Sequence, residues 1–551
     1  MQEMSSCDAA ASAWREALAD GAVAADAVAD DAKTLDRYAQ TTLAHGTRPC
    51  CVLYPESTEA VQKVVGIAAT HGVPVYPISR GRNWGYGDAC APADGMAIVD
   101  LSRMDRIVEV NDELAYAVVE PGVSQRAFHA HLSEHHAGLW FDASGAGLDA
   151  SLVGNTVDRG FGHTRYGDHF ATTCGMEIVL ADGRVLNTGF GHYPNAKASR
   201  AYRYGLGPAL DGLFCQSNYG IVTKIGLWLV PAPEAFNFFY ITVPRHEDLA
   251  PLIDALRPLR MGGILDSAVH IGNDLRLLSA NGRYPWEEAG DQIPLPEALR
   301  VEMRRPTGMG AWNVAGSLTG TAAHVRASRK ALRRAVGHLG KIGFVGDTKL
   351  ALGEWAASVL RKLGMGDRIT EQLRTLKPNY GLLKGIPTDE PLRGAQWRLR
   401  HPPGQAEAPD DAPGSPLDLG CGLMWASPVL PATGRDATQV MAIAEPILRE
   451  FDFEPLVTFT MITERAMVGI LNVVFDKTVP SESEKADRCY HRMLEALRDA
   501  GYIPYRVGLS GFDTFRSPDD VFWQVAGQIK RALDPNDIIA PGRYVPPQPK
   551  P

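Results

Sequence analysis

The chain has 551 residues, 45% of them apolar, and a formal net charge of −9 from 55 basic and 64 acidic residues. That length exceeds one ordinary hydrophobic core and predicts two or more domains, or one domain interrupted by another. The mixed charge leaves no basic footprint for nucleic acid or an anionic membrane. With no basic-and-apolar leader and no run of about 18 apolar residues, a soluble, cytoplasmic protein is expected.

Cysteines stand at 7, 50, 51, 90, 174, 215, 421 and 489 without CxxC spacing, and are expected to be reduced thiols. His129, His131, His135 and His136 carry HxH and HH pairs, a pattern that metals use. In the helix-like stretch QRAFHAHLSEHHAGLW, however, Phe128 and Leu132 mark the buried stripe. The histidines are read as surface residues, and no metal site is expected.

From about residue 55 to 230, helix-like and strand-like patterns alternate, with apolar strand signals at 73–78, 96–101, 115–119, 176–180 and 221–229. The first of these strands runs into PISRGRNWGYG at 77–87. Its glycines allow positive φ or close approach to an anion, and Ser79 and Asn83 add side-chain hydrogen bonds. The loop is neither a Walker loop nor a GxGxxG turn, and alone it reads equally as a plain turn with two solvated arginines.

A second glycine-rich stretch, SLVGNTVDRGFGHTRYGDHF at 151–170, offers Gly154, Asn155, Gly162 and His163 to a planar ring. A third places Gly220 and Ile221 on a turn into a strand. VPAPEAF at 230–236 reads as a boundary. Beyond it come a strand (FNFFYITV), a helix (HEDLAPLIDALRPLRM), a basic helical run near ASRKALRRAVGHL, and a Pro/Ala/Asp-rich loop at 402–416. Two strands joined through ITER follow over 457–475, then a helix over 481–500, and finally YIPYR and DPNDIIAPGRY before a proline-rich tail. There is no internal repeat.

Taken in this order, these stretches resemble the vanillyl-alcohol oxidase and 4-cresol dehydrogenase family of FAD-dependent oxidoreductases. The resemblance covers most of 50–235 and 500–545, and extends more weakly to MGGILDSAVHIGND, LLKGIPTDEPL, MWASPVLPATG and FEPLVTFTM. It implies an α+β fold. An FAD-binding domain of the p-cresol methylhydroxylase type, built from 1–232 and 501–551, is interrupted by a substrate-binding cap with an antiparallel sheet over 233–500.

The pyrophosphate of FAD would lie on Ser79, Arg80, Gly81, Arg82 and Asn83. Tyr86, Tyr505 and Arg506 match the two tyrosines and the arginine that hold a phenol oxygen in such relatives. Hydroxyls and a guanidinium there would stabilise a phenolate and assist hydride loss from the benzylic carbon to flavin N5 through a quinone-methide-like species. Arg543 matches a basic residue at the flavin's pyrimidine edge. The plainer readings are a ring capping the flavin for Tyr86, a buried tyrosine and an ion-pairing arginine for Tyr505 and Arg506, and a carboxylate partner for Arg543.

The family pattern also fails in places. A histidine-type flavin anchor falls at Gly422 or Leu423, so non-covalent FAD is expected, with Cys421 and His401 as possible replacements. The acid near flavin N5 falls near Gly145, leaving flanking Asp142 and Asp149 as candidate bases or turn caps. Cap-strand histidines are replaced by Val468 and Gly469.

The expected activity is dehydrogenation or hydroxylation of the side chain of a para-substituted phenol. Electrons would pass to oxygen or another acceptor, in a homodimer or larger homo-oligomer. Oxidation of a non-phenolic alcohol, or flavin binding without turnover, are the competing readings.

Overall fold

A computed structural model describes residues 6–18, 26–362, 367–400 and 414–547. Near the N-terminus, β1 (Val28–Ala29), β2 (Cys51–Leu53), β3 (Val75–Ile78) and β4 (Ala97–Asp100) form a small sheet in the order β1-β2-β4-β3. β4 runs parallel to both β2 and β3, so both faces need cover and the strands are nearly continuous apolar runs. The helix Thr58–His71 supplies part of that cover by burying Val61, Val64, Val65 and Ala68, a helical repeat of three and four. Ser57 caps its start through the Ala60 N–H, and Gly72, at φ +63°, ends it.

A second sheet is antiparallel. Its strands are β5 (Ile107–Asn111), β6 (Tyr116–Val119), β8 (Thr173–Val179), β9 (Val185–Asn187) and β10 (Ile221–Trp228), in the order β5-β6-β10-β8-β9. The short β7 (Leu139–Trp140) pairs with β11 (Val230–Pro231) inside the stretch read as a boundary.

The third sheet builds the cap. It contains β12 (Ala235–Val243), β13 (Val269–Asn273), β14 (Trp312–Gly320), β15 (Lys341–Val345), β16 (Cys421–Ala426), β17 (Val429–Pro431), β18 (Leu456–Met461) and β19 (Ala466–Asp476). The order is β15-β12-β14-β13-β18-β19-β16 with β17 also on β19, and every pairing is antiparallel. Side chains alternate along each strand. Phe239, Ile241, Val269, Ile271, Phe459 and Met461 enter the core shared with the helices Leu249–Met261, Ala322–Val336, Gly434–Glu450 and Pro480–Asp499. Their neighbours Tyr240, His270, Gly272, Thr458 and Thr460 face a cavity of about 800 Å³ on the other side.

The C-terminal segment returns to the first sheet: Val75 donates to Ile538 O at 2.8 Å and Ala540 donates to Val75 O at 2.7 Å. Lys530, fully buried, ties this return together through Asp534 and the carbonyls of Asn218 and Ile539. The fold is thus α+β, with the antiparallel third sheet lying in sequence between the first two sheets and the C-terminal segment that returns to them.

One expectation is corrected. Cys7, on the helix Ser6–Leu18, forms a disulfide with Cys50 just before β2, while Cys51, Cys90, Cys174, Cys215, Cys421 and Cys489 are free and buried. The pairing depends on where helix and strand meet in space, which spacing does not encode. The four histidines lie at the predicted helix, Gln125–His135, with Phe128 and Leu132 buried beneath them, and they form no metal cluster among the described residues. His401 and most of the loop at 402–416 lie outside the described residues. Among those described, no helix is long and apolar enough to cross a membrane.

Candidate active site

The loop after β3 is where three parts of the chain meet. A Cβ on Gly85 (φ +72°) would sit 3.0 Å from the Trp425 ring of β16, and one on Gly87 (φ +131°) 2.6 Å from Leu509 of the C-terminal segment. Glycine is required at both positions, for backbone conformation and for close approach. Below them Asp88 is buried, with one carboxylate oxygen accepting from Thr42 N at 2.6 Å and from the hydroxyls of Thr41 and Thr42. Burial pushes its carboxyl up to about 6, against the pull of those donors and of Lys477.

Upstream in the same loop, the backbone N–H groups of residues 80–84 make no hydrogen bond to another described residue. Ser79 packs against Gly154, where a Cβ would stand 3.0 Å from the Ser79 hydroxyl. These amides, beside a second glycine-bearing loop, are left free for a ligand or water. The arginines point elsewhere: Arg80 donates to the carbonyls of Asp149 and Gly122, and Arg82 lies over the Trp84 ring.

Farther along, Asn155, Phe161 and His163 line the cavity. The Asn155 side chain accepts from His169 Nδ1 at 2.6 Å, and His169 Nε2 faces Asp142 at 2.6 Å. Gly162 leaves room for Asp142, since a Cβ there would collide with its carboxylate. Asp142 is committed on both oxygens, to His169 and to the Thr164 N–H. Burial raises its carboxyl, but His169 and Thr164 more than offset this and hold it below the usual range. Asp149 is half exposed, pairs with Arg126 at 3.2 Å and does not line the cavity. Gly220 and Ile221 pack between the first two sheets, against Ile178 and the first sheet's core.

Tyr505 and Arg506 line the cavity, whereas Tyr86 is not part of its wall. The Arg506 guanidinium stacks 3.9 Å from the Tyr86 ring centre, and the Tyr86 hydroxyl meets Ser427 Oγ at 2.5 Å. The backbone holds this corner: Tyr505 N donates to Ser427 O, Gln216 to Tyr505 O, and Trp425 N to Gly85 O. Burial pushes the Tyr505 phenol up against the pull of Arg506. Burial also opposes the charge on Arg506, yet Tyr505, Tyr86 and Asp158 hold its pKa above the ordinary value. Its Nε has no partner.

Asp158, not singled out in the sequence, is the hub of this corner. Its carboxylate accepts from Arg543 at 2.5 Å and lies 3.7 Å from Arg506, while Arg543 also donates to the Tyr76 hydroxyl. The pair Arg506 and Arg543 therefore shares one counter-ion.

His270 was also missed, although MGGILDSAVHIGND was noted as cap-like. It lines the cavity and stacks on His163 at 4.4 Å; its Nδ1 meets Thr460 Oγ1 at 3.0 Å, and its Nε2 is buried without a partner among the described residues. Burial keeps both imidazoles below the usual pKa, hence neutral near pH 7. At the expected anchor position Leu423 faces the cavity. Gly422 turns onto the Phe475 ring, and Cys421 is fully buried with its thiol pushed up to about 12.

Unpaired amides after β3, Gly154 and Asn155 beside them, and a large cavity under a separate sheet give the chain room for a sizeable ligand. An FAD-binding-domain model matches residues 49–189. The chain is 36% identical over 537 residues to 1'-carboxy-chondrochloren decarboxylase of Chondromyces crocatus, covering 97% of this chain and 96% of that protein. It is 33% identical over 500 residues to the 4-cresol dehydrogenase [hydroxylating] flavoprotein subunit of Pseudomonas putida, covering 90% and 87%. A crystal structure of p-cresol methylhydroxylase with substrate bound superposes with a TM-score of 0.85 at 30% identity, over 98% of this chain and 97% of that one. The chain belongs to the vanillyl-alcohol oxidase and p-cresol methylhydroxylase family of FAD-dependent oxidoreductases.

Proposed function

We propose that this protein oxidises the side chain of a para-substituted phenol, with FAD as hydride acceptor. The carrying observation is the corner formed by Tyr86, Tyr505 and Arg506. The Tyr505 phenol and the buried Arg506 guanidinium line the cavity together, and Tyr86 stacks against Arg506 with its hydroxyl on Ser427. A phenolate there gains charge-assisted hydrogen bonds, and its negative charge assists departure of a benzylic hydride. His270, a neutral residue of the cavity wall whose buried Nε2 has no partner among the described residues, is the group we assign to accept a proton from the substrate or from water.

FAD would be held by the amides of residues 80–84, Ser79, Gly154 and Asn155, with Arg543 providing positive charge. Bound there, it supplies the two-electron acceptor. We read residues 1–232 and 501–551 as its domain and 233–500 as the cap, and the attachment as non-covalent because Leu423 offers no nucleophile.

A second reading follows from the Chondromyces relative, whose name describes a decarboxylase. On a substrate with a carboxylate β to the oxidised carbon, the quinone methide can lose CO2. The electron pair of the broken C–C bond then forms the side-chain double bond and restores the phenolate.

Anaerobic mixing of the FAD-loaded enzyme with 4-alkylphenols and with matched non-phenolic aryl alcohols tests the proposal. Bleaching of the flavin by the phenols alone is expected, and equal bleaching by both sets would refute it.

A further inference from the structure

The helix Asp274–Asn281 follows β13 directly and carries Arg276 into the wall of the cavity. Gly394 makes room for it, since a Cβ there would stand 2.9 Å from its Nη1, and the Arg276 stem passes at ordinary contact distance from Gly272. No acceptor among the described residues meets its guanidinium, and burial without a counter-charge presses its pKa down.

The carboxylates nearby are already engaged. Asp274 binds Arg300 and Arg304, Glu390 binds Arg393, and Asp389 accepts from the Leu148 N–H. Among the described residues, five lysines and arginines line the cavity, namely Arg276, Lys341, Lys349, Arg374 and Arg506, against one acid, Glu390. The whole chain has the opposite balance, at −9. A partly buried guanidinium without an acceptor gains charge-assisted hydrogen bonds when an anion completes it.

We propose that Arg276 is the receptor for a carboxylate at the far end of the substrate, so that the substrate class is an elongated phenol carrying an acidic tail; this rests on the phenol reading above. Arg506 and Arg276 then clamp the two ends of one molecule. Gly272 and Trp425 lie three strand spacings apart across β13, β18, β19 and β16, about 14 Å at ~4.8 Å per strand. A methyl or ethyl substituent does not cover that span, whereas an alkanoate chain does. The other lysines and the exposed Arg374 draw such an anion inward.

The test uses the FAD-loaded enzyme and a matched ligand set: 4-hydroxyphenyl-alkanoates of three to eight carbons, the corresponding phenyl-alkanoates without the hydroxyl, and the primary amides of both. Dissociation constants are read from the flavin absorbance change and by calorimetry. The acid is expected to bind about ten- to a hundred-fold more tightly than its amide at the best chain length, with or without the phenolic hydroxyl. R276Q should abolish that preference and R276K should keep part of it. Acid and amide binding equally to the unmodified enzyme at every length overturns the proposal without any variant. Loss of preference for the hydroxyl, with the acid preference intact, instead refutes the phenol reading alone.

Discussion

Arg506 is the residue whose replacement should be most revealing. It is buried between the Tyr86 ring at 3.9 Å and Asp158 at 3.7 Å, so a phenolate bound at Tyr505 lies beside a cation that water screens poorly. A unit charge about 4 Å away is worth about 4 kcal/mol at an effective dielectric near 20, close to three powers of ten. Arg506→Met should therefore lower the rate of flavin reduction by 4-ethylphenol by about a hundred- to a thousand-fold. Asp158 keeps Arg543 at 2.5 Å, so the corner retains a counter-ion and the fold should survive. The assay is anaerobic stopped-flow of flavin bleaching across pH. With the cation gone, ionisation falls back to the substrate's own phenol, and the variant's rate should climb toward pH ~10. A variant of full rate, or one that loses non-phenolic alcohols equally, would falsify the assignment.

Three other outcomes are expected. His270→Gln should slow turnover by at least about ten-fold and remove an acid limb that, because burial lowers this imidazole, lies below its ordinary pKa of 6.5; an unchanged pH profile would count against His270 as the proton acceptor. Asp88 has its carboxyl raised from 3.8 to about 6, so it binds a proton more tightly folded than unfolded. Its contribution of about 3 kcal/mol is full below the unfolded value and disappears as pH rises through about 6. The difference in thermal midpoint between Asp88→Asn and the unmodified protein should thus change between pH 4 and 7, and a constant difference would refute this. Acid precipitation should leave the flavin in the supernatant; flavin retained on the polypeptide would show that a nucleophilic side chain at another position anchors it.

Much of the architecture was legible in residue patterns. The run at 73–78 became β3, FNFFYITV became most of β12, and the stretch at 457–475 became β18 and β19. Short-range periodicity and capping carry such elements, as Ser57 and Gly72 do around the helix between β2 and β3. The glycine loops at 77–87 and 151–170 were legible for a related reason, because backbone conformation leaves its mark in local composition.

What pairing did with those elements was not legible. Asp142 and Asp149 are close in sequence, yet one is locked under His169 and the other faces Arg126 and solvent. His270 and Arg276 sit in an ordinary cap stretch. Only the register of β13 against β14 and β18 turns His270 and Gly272 toward the cavity and brings Arg276 over the glycine. The sequence by itself determined the α+β class, the flavin-type loops and the family. Tertiary structure decided which charged groups find partners and which are left open, because that depends on contacts across hundreds of residues, such as Asp158 with Arg506 and Arg543.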